Sequence, residues 1–136
     1  MKVLVIDRET FLAELVKLAL EADGHACRTA AGIDEASEIL RSVRIDLVTL
    51  DLEAGGDNPV VWLAEAVLAH PDLHGRFLVL AGRLLEQDES ARVLASGARV
   101  IRKPFTLHQV RETVRMMVPT GGRATETRPL GPVMET

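Results

Sequence analysis

Five short apolar runs alternate with amphipathic segments of helical length, and this alternation limits the possible folds more than any other feature of the sequence. Four of the runs are rich in valine, isoleucine and leucine, as buried strands are, and the run at 25–30 is weaker. They fall at residues 2–6, 25–30, 47–50, 76–81 and 100–101. Strands that alternate with helices in this way predict a parallel sheet with helices on both faces and right-handed crossovers.

The helical segments carry start and stop signals. Predicted helices cover residues 10–22, 34–43, 59–70, 86–96 and 107–117. Asn58-Pro59 is a strong start, because the asparagine side chain can cap the helix and proline suits its first turn. Thr106 and Gln109 form a capping box, and Thr10 is expected to cap the first helix. The run at 25–30 is mixed in polarity, so we expect it at a sheet edge.

Composition narrows the class of protein. The net charge is −4 and no basic run with interleaved aromatic residues occurs, which argues against direct contact with nucleic acid. Cys27 is the only cysteine, so it cannot form an internal disulfide, and a reducing compartment is predicted. No apolar run approaches the ~20 residues of a membrane span. We therefore expect a cytoplasmic protein without a membrane segment.

Charged residues follow three of the predicted strands. Asp7 and Asp51 come directly after apolar runs, and Lys103 follows the last one. Open α/β sheets place their chemistry at the carboxyl ends of the strands. Two neighbouring carboxylates repel each other unless one takes a proton or both share a cation, and Mg²⁺ is the usual cation where phosphate is handled. An aspartate can also accept a phosphoryl group, whose charge a nearby lysine neutralises.

Several motifs of the chain resemble those of bacterial response-regulator receiver domains over residues 1–118. These are the first strand ending at Asp7, the segment Asp46-Leu47-Val48-Thr49-Leu50-Asp51-Leu52, the pair Gly97-Ala98, and Lys103-Pro104-Phe105 followed by a helix. The resemblance implies a flavodoxin-like five-stranded parallel sheet of order 2-1-3-4-5. Residues 119–136 contain three prolines, three glycines and four threonines, and are predicted to form a flexible tail.

The resemblance also implies roles for individual residues. Asp51 would accept a phosphoryl group from a histidine kinase, a phosphotransfer protein or a small phosphodonor, and Lys103 would contact that group. Asp7 would help to hold Mg²⁺, and the Lys103-Pro104 bond would be cis. The chain would then be a signalling module and not an enzyme. A downstream protein would contact the face between Glu86 and Val118, and the chain could also form a homodimer.

The sequence departs from the family pattern at several site positions. Arg8 stands where the family has a second acid that binds the metal, so Asp7, Asp51, Arg8 and Lys103 sum to zero charge without a metal ion. We hypothesise that Arg8 pairs with Asp51 or Asp7 and weakens or abolishes Mg²⁺ binding. Glu53 and Glu9 are the nearby acids that could restore a ligand, Glu53 being the better placed unless its side chain faces solvent.

Two switch residues of the family are also replaced. The hydroxyl after the fourth strand falls on Ala81, and the aromatic residue that rotates on activation falls on Val100, although the short loop before Lys103 allows the alignment to slip by one residue. An alternative function therefore stays open, a pseudo-receiver that binds partners without phosphorylation. A nucleotide- or flavin-binding enzyme fits poorly, because the first strand is not followed by a glycine-rich phosphate loop.

Overall fold

The computed structural model describes residues 1–54 and 58–118. Five strands and five helices alternate along the chain. They are β1 (Lys2–Ile6), α1 (Thr10–Ala22), β2 (Ala26–Ala30), α2 (Ile33–Ser42), β3 (Leu47–Asp51), α3 (Pro59–Ala69), β4 (Phe77–Ala81), α4 (Gln87–Ala95), β5 (Arg99–Arg102) and α5 (Leu107–Met117), with a 3₁₀ turn at Pro71–Leu73. The predicted tail at 119–136 lies outside the described residues.

The strands form one parallel sheet in the order β2-β1-β3-β4-β5. This is the flavodoxin-like order, as predicted, with β2 at an edge. The three central strands are buried over most of their length, which explains their continuous apolar sequence. Because the order reverses between β1 and β3, their carboxyl ends open onto a shared crevice, where such folds bind ligands.

Helices cover both faces of the sheet and divide the core into two layers. On one face, α2, α3 and α4 pack against alternate strand residues that include Leu4, Ile6 and Val48. On the other face, α1 and α5 pack against the intervening strand residues, such as Val3, Val5 and Leu47. Successive strand side chains point to opposite faces, so one continuous apolar run supplies both layers.

Most helix boundaries agree with the sequence predictions. Asn58 caps α3, its Oδ1 accepting the Val61 N–H at 3.3 Å, and Thr106 and Gln109 form the predicted capping box of α5. The prediction for α1 is wrong, since Thr10 is its first helical residue and Glu9 is the N-cap without a side-chain capping bond. The reason lies upstream: Asp7 Oδ1 accepts the Glu9 N–H at 2.8 Å, so the chain turns towards the helix one residue earlier.

None of the helices in the described residues is both long enough and apolar enough to cross a membrane.

Candidate functional site

The phosphoacceptor candidate lies at the end of a central, fully buried strand. Asp51 is the last residue of β3 and only 1% exposed. Register places Ile6 beside Leu50, so the next residues of the two strands, Asp7 and Asp51, are neighbours at the sheet edge. The predicted meeting of these two carboxylates is therefore a direct consequence of strand order and register.

Lys103 supplies the positive charge next to Asp51. Its Nζ donates a hydrogen bond to Asp51 Oδ1 at 2.9 Å. The backbone sets this position: the Lys103 N–H bonds the carbonyl of Ala81 at 2.8 Å as the chain leaves β5, and the following bond to Pro104 is cis. Burial alone would lower the pKa of Lys103, but the hydrogen bond and charge of Asp51 outweigh it and raise that pKa, so the ammonium form is favoured.

Asp7 is a buried acid that is only 3% exposed. Its Oδ1 accepts the Glu9 N–H, whereas Oδ2 has no hydrogen-bond partner among residues 1–54 and 58–118. Burial, reinforced by the negative charge of Asp51, raises the pKa of Asp7 to about 6. The buried Asp7 therefore holds its proton more tightly than an exposed aspartate does, and once ionised it attracts a cation.

Glu53 lies beside Lys103 on the solvent-exposed side of the site. Its backbone N–H donates to Asp51 Oδ1 at 3.2 Å, and its carboxylate Oε1 is 3.7 Å from Lys103 Nζ. The side chain is 53% exposed, so it contacts both the lysine and solvent. The sequence had offered Glu53 as a metal ligand; the structure shows it paired with the lysine.

Arg8 is exposed. Within residues 1–54 and 58–118 it forms no ion pair with Asp7 or Asp51. The hypothesised ion pair is therefore absent from the structure, and the side chain that pairs with Asp51 is that of Lys103. Arg8 still adds a positive charge next to Asp7 in sequence and does not supply the acid that the family places there.

The two replaced switch positions differ in their surroundings. Ala81 is fully buried at the end of β4, and Val100 is 39% exposed on the edge strand β5. Neither side chain can donate a hydrogen bond. At Gly82, which follows Ala81, other side chains approach the backbone closely: a Cβ built there would lie 3.3 Å from Glu53 Oε2 and 3.7 Å from Lys103 Cδ.

A second charged pair, next to the site, was not predicted from the sequence. Arg83 binds Glu89 through two hydrogen bonds, Nη1 to Oε1 at 2.7 Å and Nη2 to Oε2 at 2.8 Å. Glu89 Oε1 also accepts the Glu86 N–H at 2.9 Å and so completes the capping box of α4. The spacing of Glu86 and Glu89 could have suggested this box, but a glutamate at the cap is an uncommon signal.

The residues present fit a weakly held divalent cation. Asp7 and Asp51 offer two neighbouring carboxylates, and Asp7 Oδ2 lacks a partner in the part of the chain that the structure describes. Mg²⁺ commonly binds one or two protein carboxylates and completes its shell with water and phosphoryl oxygens. The described residues contain no group of three His, Cys, Asp or Glu side chains arranged to hold a metal ion, so a third protein carboxylate is missing.

Comparison with known proteins identifies the class to which this site belongs. The chain is 30% identical over 85% of its length to a response regulator from Thermotoga maritima, whose crystal structure it matches over 95% with a TM-score of 0.71. A CheY-like receiver domain protein from Methanospirillum hungatei shares the fold, with a TM-score of 0.75 at 21% identity, over 85% of this chain and 90% of that protein. No protein-family model matches the chain.

The chain belongs to the response-regulator receiver family of two-component signalling proteins. It is also 30% identical over 123 residues to the probable transcriptional regulatory protein TcrX of Mycobacterium tuberculosis, an alignment that covers 90% of this chain and 52% of TcrX. The chain spans about half the length of the curated relatives it matches.

Proposed function

We propose that this chain is a receiver module whose Asp51 accepts a phosphoryl group in a two-component phosphorelay. The observation that carries the proposal is the pair of Asp51 and Lys103, joined at 2.9 Å at the carboxyl end of β3. A carboxylate needs a fixed cation beside it to tolerate the charge that phosphorylation adds. The proposed donor is the phosphohistidine of a histidine kinase or phosphotransfer protein, and the proposed location is the cytoplasm.

The proposed reaction forms an acyl phosphate. A carboxylate oxygen of Asp51 attacks the phosphorus of the donor, the P–N bond of phosphohistidine breaks, and its electron pair stays on the imidazole, which takes up a proton. Lys103 stays protonated and compensates negative charge on the phosphoryl oxygens. Mg²⁺, held by Asp7 and Asp51, would supply further charge neutralisation when bound.

A second function is favoured by one specific set of observations. Ala81 and Val100 cannot act as a hydrogen-bonding or aromatic switch, and Arg8 stands in place of an acid. A chain of this kind would present a fixed surface to its partner whether or not Asp51 is modified. In this alternative the protein is a pseudo-receiver and acts by protein–protein interaction alone.

Both functions use the same proposed output face. The segment from Glu86 to Val118 carries large apolar side chains that are exposed, with Leu94 at 81%, Met116 at 66% and Val100 at 39%. Exposed apolar side chains grouped on neighbouring elements are typical of binding surfaces. We propose that a downstream protein or a second copy of the chain covers this face.

Intact mass after treatment with acetyl phosphate, with and without Mg²⁺, tests the first function, with Asp51→Asn as the control. A mass gain of one phosphoryl group that the variant loses supports Asp51 as the acceptor. No gain in folded protein under either condition contradicts it and favours the pseudo-receiver. A gain without Mg²⁺ supports phosphoryl transfer that relies on the cationic side chains of the chain.

A further inference from the structure

The carboxylate of Glu53 occupies a defined place between two parts of the site. Oε1 lies 3.7 Å from Lys103 Nζ, and Oε2 lies 3.3 Å from the point where a Cβ on Gly82 would be. The carboxylate therefore fills the space that a side chain at position 82 would take, directly beside the lysine. The carboxylate lies within ion-pair distance of the lysine although its side chain is 53% exposed and could extend into solvent.

Lys103 consequently has two anionic partners of different kinds. Asp51 is buried and close, at 2.9 Å, and Glu53 is half-exposed and farther away, at 3.7 Å. Both carboxylates contribute to the raised pKa of the lysine, together with Asp7. Of the two carboxylates, that of Glu53 can separate from Lys103 with a small loss of free energy, because water can solvate it once it moves.

The oxygens of a phosphoryl group on Asp51 would need to bind the side of the Lys103 ammonium group that the Glu53 carboxylate now contacts. Phosphorylation replaces one negative charge by about two and adds three oxygen acceptors. Those oxygens need the ammonium group, and the Glu53 carboxylate would then be a like charge beside them. Asp51 is 1% exposed in the present arrangement, so groups around it must move before a donor can reach its carboxylate.

Gly82 makes the position of Glu53 possible. A methyl group there would lie 3.3 Å from Oε2, which is tighter than an ordinary contact, and the flexible end of Glu53 would be displaced. The backbone at Gly82 does not have the positive φ that favours glycine, so an alanine is acceptable there. Position 82 therefore offers a way to move Glu53 without changing its charge.

We propose that Glu53 is a specificity-determining residue that competes with the phosphoryl group for Lys103. Its carboxylate acts as an internal anion: it holds the lysine in the unmodified state and must be displaced when Asp51 carries a phosphoryl group. Removing its charge, or its access to the lysine, then strengthens the binding of a phosphoryl-like anion. The proposal rests on the proposed function of Asp51.

The affinity for beryllofluoride, an anion that mimics a phosphoryl group on a carboxylate, tests this competition. Binding is followed in the full chain with Mg²⁺ present, through the amide chemical shifts of Gly82 and Lys103. The variants are Glu53→Gln, which keeps the shape and removes the charge, and Gly82→Ala, which keeps the charge and displaces the carboxylate. Glu65→Gln on α3 is the matched control, since Glu65 is exposed and remote from the site.

We expect Glu53→Gln to bind beryllofluoride about two- to fivefold more tightly than the wild type, the range that follows from loss of a half-exposed ion pair. Gly82→Ala should shift the affinity in the same direction, and Glu65→Gln should leave it unchanged. Equal affinity in Glu53→Gln and Glu65→Gln would overturn the proposal. Weaker binding in Glu53→Gln would also overturn it, since Glu53 would then support the bound anion or its metal.

A second measurement separates this proposal from the acceptor function. In the absence of any anion, the 15N chemical shift of the Lys103 ammonium group is compared at neutral pH in the wild type, Glu53→Gln and Glu65→Gln. If no variant binds beryllofluoride, the acceptor role of Asp51 fails. Contact of Glu53 with Lys103 is then supported by a changed Lys103 ammonium shift in Glu53→Gln alone, and contradicted by an unchanged one.

Discussion

Lys103 and Asp51 form a hydrogen-bonded ion pair at 2.9 Å in which the aspartate is almost fully buried and the lysine is partly exposed. The pair joins the end of β3 to the loop after β5, although β4 lies between these strands in the sheet. Asp7 adds a second buried carboxylate without adding a cation. Among the described residues, Lys103 is the cation that pairs with Asp51. The stability of the site and its chemistry should therefore respond to the same substitutions.

Replacement of Lys103 by methionine should destabilise the protein. Asp51 would be left buried beside Asp7 without a counter-ion, at a cost of about 1–3 kcal/mol in the free energy of unfolding. Urea denaturation at pH 7.5 measures this loss, with Lys17→Met on α1 as a control for charge and size. Adding Asp51→Asn to Lys103→Met should recover much of the stability, and a double variant no more stable than Lys103→Met would contradict the account.

Neutralisation of Asp7 should change the dependence of stability on pH. The folded state raises the pKa of Asp7 from its ordinary value near 3.8 to about 6, so the folded protein holds this proton more tightly than the unfolded chain. The resulting stabilisation is fully present below about pH 4 and is lost as the pH rises through about 6. Asp7→Asn should therefore gain stability relative to the wild type, on the order of 2 kcal/mol, between pH 5 and pH 7.5.

The measurement for Asp7 is the difference in unfolding free energy between variant and wild type at several pH values in that range. Glu14→Gln, which removes the same charge at an exposed acid of α1, is the control. A constant difference for Asp7→Asn would mean that Asp7 is ionised without penalty in the folded protein.

Sequence reasoning predicted the parts of this site that the backbone determines. Parallel strands in the order β2-β1-β3-β4-β5 bring residues at their carboxyl ends together, so the proximity of Asp7, Asp51 and Lys103 followed from three strand ends. The cis bond before Pro104 followed from the family resemblance. These features need only the right elements in the right order.

The parts that sequence reasoning missed depend on long, flexible side chains. Arg8 was expected to turn towards the acids, but its side chain is exposed and Lys103 is the residue that donates to Asp51 Oδ1. Glu53 contacts Lys103 because Gly82, which is distant in sequence, leaves room for its carboxylate. Such choices among rotamers depend on neighbours supplied by other strands, and local sequence patterns do not contain that information.

Restoring an acid at position 8 should strengthen Mg²⁺ binding. Arg8→Asp removes a positive charge and adds a negative one next to Asp7, so the formal charge of the four site residues falls from zero to −2. We expect Mg²⁺ affinity to rise about tenfold or more, because two units of charge act on a divalent ion a few ångströms away. Titration with Mg²⁺, followed through the amide shifts of Leu52 and Glu53, measures it.

Arg28→Asp on the edge strand β2 is the control for Arg8→Asp, because it makes the same change of charge at an exposed position. Equal Mg²⁺ affinity in the two variants would show that net charge alone, and not an added ligand, determines the binding. If Arg8→Asp and the wild type bind Mg²⁺ with the same affinity, Arg8 does not weaken metal binding.

Loss of Glu89 should loosen the start of α4, which borders the site. Glu89 accepts hydrogen bonds from Arg83 and from the Glu86 N–H, and the bond from Arg83 is the main reason why its pKa falls to about 2. Glu89→Ala removes the capping box, so the free energy of unfolding should fall by about 1 kcal/mol. Asp88→Ala, in the same first turn, loses one charge but keeps the box and should cost less.

The pH dependence gives an independent check on Glu89. Its folded pKa lies below the ordinary 4.5, so the stabilisation is present above about pH 4.5 and is lost as the pH falls towards 2. The difference in stability between wild type and Glu89→Ala should therefore shrink on acidification, while amide exchange at Glu86 should be faster in the variant at neutral pH. An exchange rate at Glu86 equal to that in Asp88→Ala would mean that the capping bond contributes nothing to the order of this helix terminus.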